Sequence, residues 1–161
     1  MIIFRVEDVN KVITELTEGP VLLVSLSMGG WLSLAAAKHY PTIADRLVGM
    51  VLYAPALNYA YPYYQYHRDQ LSEETRNRLD QGDIHVLSHT FGDAMLKKDF
   101  AEDSLKYEID LQREVEIGCP VRIIHGLEDK EVRKLNKPNP VHFFWSVSNF
   151  MFIFNSRVRC S

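Results

Sequence analysis

The chain has 161 residues, 47% of them hydrophobic, and a formal net charge of −3. That length and apolar content suit one domain with a proper core, and the acidic balance gives no reason to expect nucleic acid as a partner. Two widely separated cysteines, Cys119 and Cys160, read as free thiols in a reducing compartment, and no run reaches the roughly 18 consecutive apolar residues that a membrane span requires.

The opening "MIIFRVEDVNKV" has early acidic residues and no arginine- or serine-rich amphipathic pattern, so it reads as neither a signal nor a transit peptide. Residues 6 to 18 place Val6, Val9, Val12, Ile13 and Leu16 at helical spacing, and Gly19-Pro20 is a stop. "VLLVSL" (21–26) is a continuous apolar run, which predicts a strand buried on both faces of a parallel sheet. Residues 28 to 40 predict a helix rich in Ala and Leu, ending at Tyr40-Pro41. "RLVGMVLYAPAL" (46–57) and "PVRIIHG" (120–126) predict two further strands. Strand and helix alternate, so the expected class is α/β with a mostly parallel sheet flanked by helices.

Residues 58 to 115 behave as an insertion between strands. A tyrosine-rich stretch, "NYAYPYYQYH", leads into a polar helix near 71 to 81 and then into helices and turns. Such an element covers a pocket or makes a surface excursion; both readings stay open. Beyond Val132 the composition breaks. Residues 1 to 132 hold 13 Lys/Arg and 21 Asp/Glu, a net −8, whereas 133 to 161 hold 5 Lys/Arg and no Asp/Glu, a net +5, with 6 of the 18 aromatics. The expected division is therefore 1–132 as a partial domain, with a helical lid at about 58–115, and 133–161 as an aromatic, basic tail.

"VLLVSLSMGGWLSLAA" runs from strand through Ser25-Leu26-Ser27-Met28-Gly29 into helix. A serine at such a turn, with small residues two before and two after it, has the layout of a nucleophile elbow. Ser27 is the candidate nucleophile, and the Met28 backbone N–H, at the helix N-terminus, is a candidate oxyanion donor. Ser25 stands where glycine is commoner and crowds the turn. The competing reading is a tight strand-to-helix turn without chemistry. It is not a dinucleotide-binding turn, because the G-x-G-x-x-G spacing is absent.

"VRIIHGLEDKEV" puts Asp129 in the loop just after a buried strand, 102 residues past Ser27, where it can orient a histidine tautomer and stabilise the imidazolium. The alternative is a solvated turn aspartate. His125 reads as a strand-end residue. His85 and His89 lie four apart, but "HVLSH" lacks the glutamate of H-E-x-x-H, so no metal site is expected. His39 and His67 read as solvated. No cofactor is expected.

With these motifs placed, residues 6 to about 132 resemble an α/β-hydrolase. Within that superfamily they resemble the mitochondrial palmitoyl-protein thioesterase and acyl-glucuronide esterase family, alpha/beta-hydrolase domain-containing protein ten, with its bacterial relatives. The resemblance rests on "GPVLLVSLSMGGWLSLAA", "CPVRIIHGLEDKEV" and the helical segment between them. It implies Ser27 as nucleophile, Asp129 as acid and the Met28 N–H as half of an oxyanion hole, in hydrolysis of acyl esters or thioesters through an acyl-enzyme. It also implies a mitochondrial location, with cytoplasmic as the alternative for a chain showing no transit peptide.

Two departures stand against this pattern. The family's histidine follows one more strand, which falls near "FNSRVR" (154–159), where there is none. His142 lies 13 residues past Asp129, too close for an intervening helix and strand, and is either a displaced base or an incidental histidine. The strands that precede the elbow strand in the family, and the loop supplying the second oxyanion N–H, are not found ahead of Val21. These departures suggest a truncated or alternative product whose tail replaces the last strand and histidine; the competing reading is a divergent terminus forming one more strand. "HFFWSVSNFMFIF" has an aggregation-prone character. The expected activity is a serine ester or thioesterase acting on a small or protein-linked acyl substrate, with Tyr59, Tyr61, Tyr63, Tyr64 and Tyr66 lining or covering the acyl pocket. The alternatives are a catalytically silent hydrolase fragment acting by binding, and acyl transfer to an acceptor other than water.

Overall fold

The computed structural model describes residues 2–89, 92–111, 115–126, 146–147 and 150–154. Helix α1 (Ile2–Leu16) leads into strand β1 (Val21–Leu26). Gly19, at φ +69°, supplies the left-handed residue between them. Arg46 ties the end of α1 to the segment after it, donating to the Ile13 carbonyl, which also accepts from the Thr17 hydroxyl, to Thr17 Oγ1 and to the Gly19 carbonyl. Val6 and Ile13 face the core, while Val12 and Leu16, included in the same sequence stripe, are exposed.

Helix α2 (Met28–His39) follows β1 after a single residue, and a short α3 (Pro41–Ala44) turns the chain into β2 (Leu47–Tyr53). Strand β5 (Val121–Gly126) completes a parallel trio, pairing with β2 as β2 pairs with β1. The full sheet has the order β1-β2-β5-β7-β6. In it β7 (Phe150–Phe154) runs antiparallel to β5, and β6 (Ser146–Val147) antiparallel to β7. Residues 150–154 thus form a strand although the tail showed no alternation; a uniformly apolar run such as FMFIF carries no period to detect.

The sheet departs from the expectation that its strands are buried on both faces. Val21, Leu23 and Ser25 of β1 turn toward α2, whereas Leu22, Val24 and Leu26 are 58%, 64% and 69% exposed. The main core lies on the α2 side, where Trp31, Leu32, Leu34 and Ala35 to Ala37 pack with Val6, Ile13, Met50, Leu52 and Val121. Helix α2 is apolar nearly all round because α1 and the sheet enclose it.

Between β2 and β5 the excursion comprises α4 (Ala60–Arg68), α5 (Glu73–Asp80), a hairpin of β3 (His85–His89) with β4 (Gly92–Leu96), and α6 (Lys98–Ser104) running into a 3₁₀ turn (Leu105–Tyr107). Ser72 caps α5, its hydroxyl accepting from the Thr75 N–H. The hairpin differs from the expected helices and turns. Leu87 packs inward while the cross-strand pair Val86 and Met95 faces solvent, a short alternation. The excursion has its own small core of Tyr64, Leu79, Leu96 and Ala101. Its two ends are pinned together. Asn58, at φ +55°, donates to the Ile109 carbonyl at 2.7 Å and accepts from the Ile109 N–H at 2.9 Å. The buried Trp31 indole donates to the Tyr107 carbonyl at 2.9 Å.

Candidate active site

Ser27 is the single residue between β1 and α2, and its backbone sits at φ +52°, ψ −123°. A side chain is strained there, at a cost of about 1–3 kcal/mol, and such a conformation persists only where the surroundings over-determine it. Here they do. The Ser27 N–H donates to the Tyr53 carbonyl at 2.9 Å, and its own carbonyl accepts from Gly30 at 3.0 Å and from Ala56 at 3.1 Å. The strained turn lifts the Ser27 side chain to an exposed position above the sheet's carboxyl edge. It also makes Met28 the first residue of α2, so that its N–H lies in the open first turn, where the helix dipole favours negative charge.

The small residues required by the turn have distinct jobs. A Cβ on Gly30 would lie 2.7 Å from Pro55 Cβ and 3.2 Å from Pro55 Cα, so only glycine lets the segment after β2 pack against the helix. A Cβ on Gly29 would meet nothing nearer than Ser25 Cβ, at 3.7 Å. Ser25, the residue in the place of a glycine, points into the strand–helix interface and shares a hydrogen bond with Ser33, Oγ to Oγ at 2.6 Å. The crowding expected from the sequence is thereby answered by a partner eight residues on.

Of the five tyrosines expected around a pocket, Tyr59 reaches the elbow. Its hydroxyl donates to Met28 Sδ at 3.1 Å and its ring stands edge-on to Trp31, with centroids 5.9 Å apart. Tyr59 also contacts Tyr63 edge-on, and Tyr63 lies against His67. Burial, opposed by the Arg5 charge and assisted by Tyr63, raises the Tyr59 phenol above its ordinary value of 10.0, so it stays a protonated donor at neutral pH. Tyr64 is buried in the excursion's own core, Tyr61 packs beside that core, and Tyr66 is exposed.

Strands β1, β2 and β5 are parallel, and their register aligns Leu26 with Tyr53 and Tyr53 with Ile124. Gly126 therefore ends β5 at the same edge as Ser27, two strands away. Asp129 and His142, the expected acid and base, lie outside the described residues. His85 sits on β3 and His125 near the end of β5. Sequence reasoning missed Ser33, Asn58 and the pairing of Tyr59 with Met28. A serine at each end of an eight-residue interval across the turn, and an asparagine just after a strand's Ala-Pro, were the available signals.

No family model matches the chain. Among curated proteins it is similar to the palmitoyl-protein thioesterase ABHD10, mitochondrial, of Mus musculus, with 30% identity over 129 residues, 78% of this chain and 41% of that protein. It is also similar to the Homo sapiens protein of the same name, with 25% identity over 126 residues, 76% of this chain and 39% of that protein. The chain thus spans about two fifths of the length of these curated relatives. Among solved structures, mouse alpha/beta hydrolase domain-containing protein 10 superposes with a TM-score of 0.58 at 25% identity, covering 79% of this chain and 49% of that one. A protein of Agrobacterium vitis S4 described as a hydrolase shares the fold, with a TM-score of 0.60 at 23% identity, over 73% of this chain and 46% of that one. The chain carries part of the α/β-hydrolase fold and is related in sequence to the ABHD10 thioesterases over 78% of its length.

Proposed function

We propose that the chain is a serine hydrolase acting on acyl esters or thioesters through an acyl-enzyme, with Ser27 as nucleophile. The observation that carries this reading is the Ser27 backbone, φ +52° and ψ −123°, held by three backbone hydrogen bonds between the end of β1 and the N-terminus of α2. Strain retained at an exposed serine is what a nucleophile elbow requires and what a simple turn would relax. The relatives' name, palmitoyl-protein thioesterase, supports a long acyl thioester as substrate class, and their mitochondrial designation supports that location.

In this reading the Ser27 hydroxyl oxygen attacks the acyl carbonyl carbon while its proton passes to a base. The negative charge that develops on the carbonyl oxygen is met by the Met28 N–H and the α2 dipole. Collapse of the intermediate breaks the bond to the leaving alkoxide or thiolate, which takes up the proton. Water then attacks the Ser27 acyl ester by the same route and releases the acid. Asp129 is proposed as the acid that orients the base and His142 as the candidate base, both on the sequence alone. Tyr59, lying over the Met28 side chain, would form the wall of the acyl pocket nearest the elbow.

The test is turnover of palmitoyl and shorter acyl thioesters and of p-nitrophenyl acyl esters by wild type and Ser27→Ala. Hydrolysis lost in the variant supports the reading. A folded wild type with no turnover above the variant on any substrate overturns it and leaves a silent hydrolase relative. Product formed only when an alcohol or thiol is added would instead identify an acyl transferase.

A further inference from the structure

Ser25 turns its side chain toward α2 from the strand arm of the elbow, and Ser33, 5% exposed, faces it from the helix arm. A hydroxyl at Ser33 would ordinarily bond back to its own helix. Here it meets the Ser25 oxygen at 2.6 Å, close for a hydroxyl pair. Backbone bonds hold Ser27 itself, whose conformation is strained, and Tyr59 reaches Met28 from the segment after β2; the Ser25–Ser33 bond joins the strand arm directly to the helix arm. A side-chain clamp that closes the angle between strand and helix resists relaxation of that strain from outside the turn.

We infer that Ser25 and Ser33 form a positioning pair. Their shared hydrogen bond holds strand and helix at the angle that keeps the Ser27 hydroxyl and the Met28 N–H aimed at one substrate carbonyl. The catalytic part of this inference rests on Ser27 being the nucleophile; the mechanical part does not. Neither serine touches substrate. The pair accounts for a serine standing at a place where the turn asks for the smallest residue.

The experiment compares wild type, Ser25→Ala, Ser33→Ala and the double variant, by thermal melting, by the labelling rate with an alkyl fluorophosphonate, and by hydrogen exchange at the Ser27 and Gly30 amides. Each single variant leaves one half-buried or buried hydroxyl without its partner and should melt lower; the double variant, with neither hydroxyl, should recover most of the loss. A merely structural bond predicts that labelling recovers as well. The positioning role predicts that the double variant still labels about five- to tenfold more slowly, with the Ser27 and Gly30 amides exchanging faster than in wild type. A double variant that labels and exchanges at wild-type rates overturns the inference. Should wild type take no probe at all, the hydrolase reading has failed separately. The exchange arm then decides alone: faster exchange at those two amides supports the clamp, and unchanged exchange refutes it.

Discussion

Gly30→Ala isolates the packing on which the elbow stands. Its Cβ would lie 2.7 Å from Pro55 Cβ and 3.2 Å from Pro55 Cα. Proline's ring is rigid and its Cα is backbone, so neither can swing aside. Overpacking of this kind costs about 1–3 kcal/mol, and contact with an unyielding ring argues for the upper part of that range. Against it stands the helix propensity of alanine over glycine, at most about 1 kcal/mol and less in a first turn. The net expectation is a loss of about 1–2 kcal/mol, or a melting temperature lower by roughly 2–8 °C for a domain of this size. Gly29→Ala is the internal control. Its Cβ would meet only Ser25 Cβ, at 3.7 Å, an ordinary contact, so it should be neutral or stabilising by up to about 1 kcal/mol. Both are read by calorimetry or circular-dichroism melting on the same preparation. A Gly30→Ala protein as stable as Gly29→Ala would refute the packing of the 54–57 segment on the elbow helix, and with it the Ala56 N–H bond to the Ser27 carbonyl.

Ser27→Gly should raise stability by about 1 kcal/mol while abolishing hydrolysis, because glycine adopts φ +52° without the strain a side chain meets there; an unchanged or lower melting point would show that the turn stores no strain. Asn58→Ala loses both bonds to Ile109 and places an alanine at φ +55°, for an expected cost of about 2–4 kcal/mol by denaturant titration, with Asn58→Gly recovering the conformational part, about 1 kcal/mol. Trp31→Phe strands the Tyr107 carbonyl and leaves a cavity in the main core, and should cost about 2–4 kcal/mol. Burial raises the phenols of Tyr59, Tyr64 and Tyr107 above 10.0. Their folded values exceed their unfolded ones, so the stability they contribute is complete below pH 10 and is lost as pH rises beyond it. Ultraviolet titration should show these three among the last of the eight tyrosines to ionise, together with alkaline unfolding.

What the sequence made legible was local. A strand, a serine flanked at two residues on either side by small ones, and a following helix all fall within residues 21–39, and each is decided by its neighbours. The strands at 21–26, 46–57 and 120–126 were legible as apolar runs, but their register, which brings Leu26, Tyr53 and Ile124 level, is set by pairing across the sheet. What escaped was set by distant pairing. Asn58 and Ile109 are 51 residues apart, Trp31 and Tyr107 76. The β3–β4 hairpin depends on cross-strand partners rather than on a long period. The tyrosine run was visible as composition, but Tyr59, at the N-cap of α4, goes to the elbow, while within α4 helical angle sends Tyr64 into a separate core and Tyr66 to solvent. The exposed face of β1 was missed because an apolar run does not say which of its faces a helix covers.

The central claim is that Ser27 is an activated nucleophile, and covalent trapping tests it most directly. Wild type and Ser27→Ala, both shown by melting to be folded, are incubated with an alkyl fluorophosphonate, weighed intact and digested with trypsin. The account predicts one adduct per wild-type chain, carried on Ser27 in the peptide that ends at Lys38, and none on the variant. An unmodified wild type, or an adduct that persists in Ser27→Ala, would contradict it.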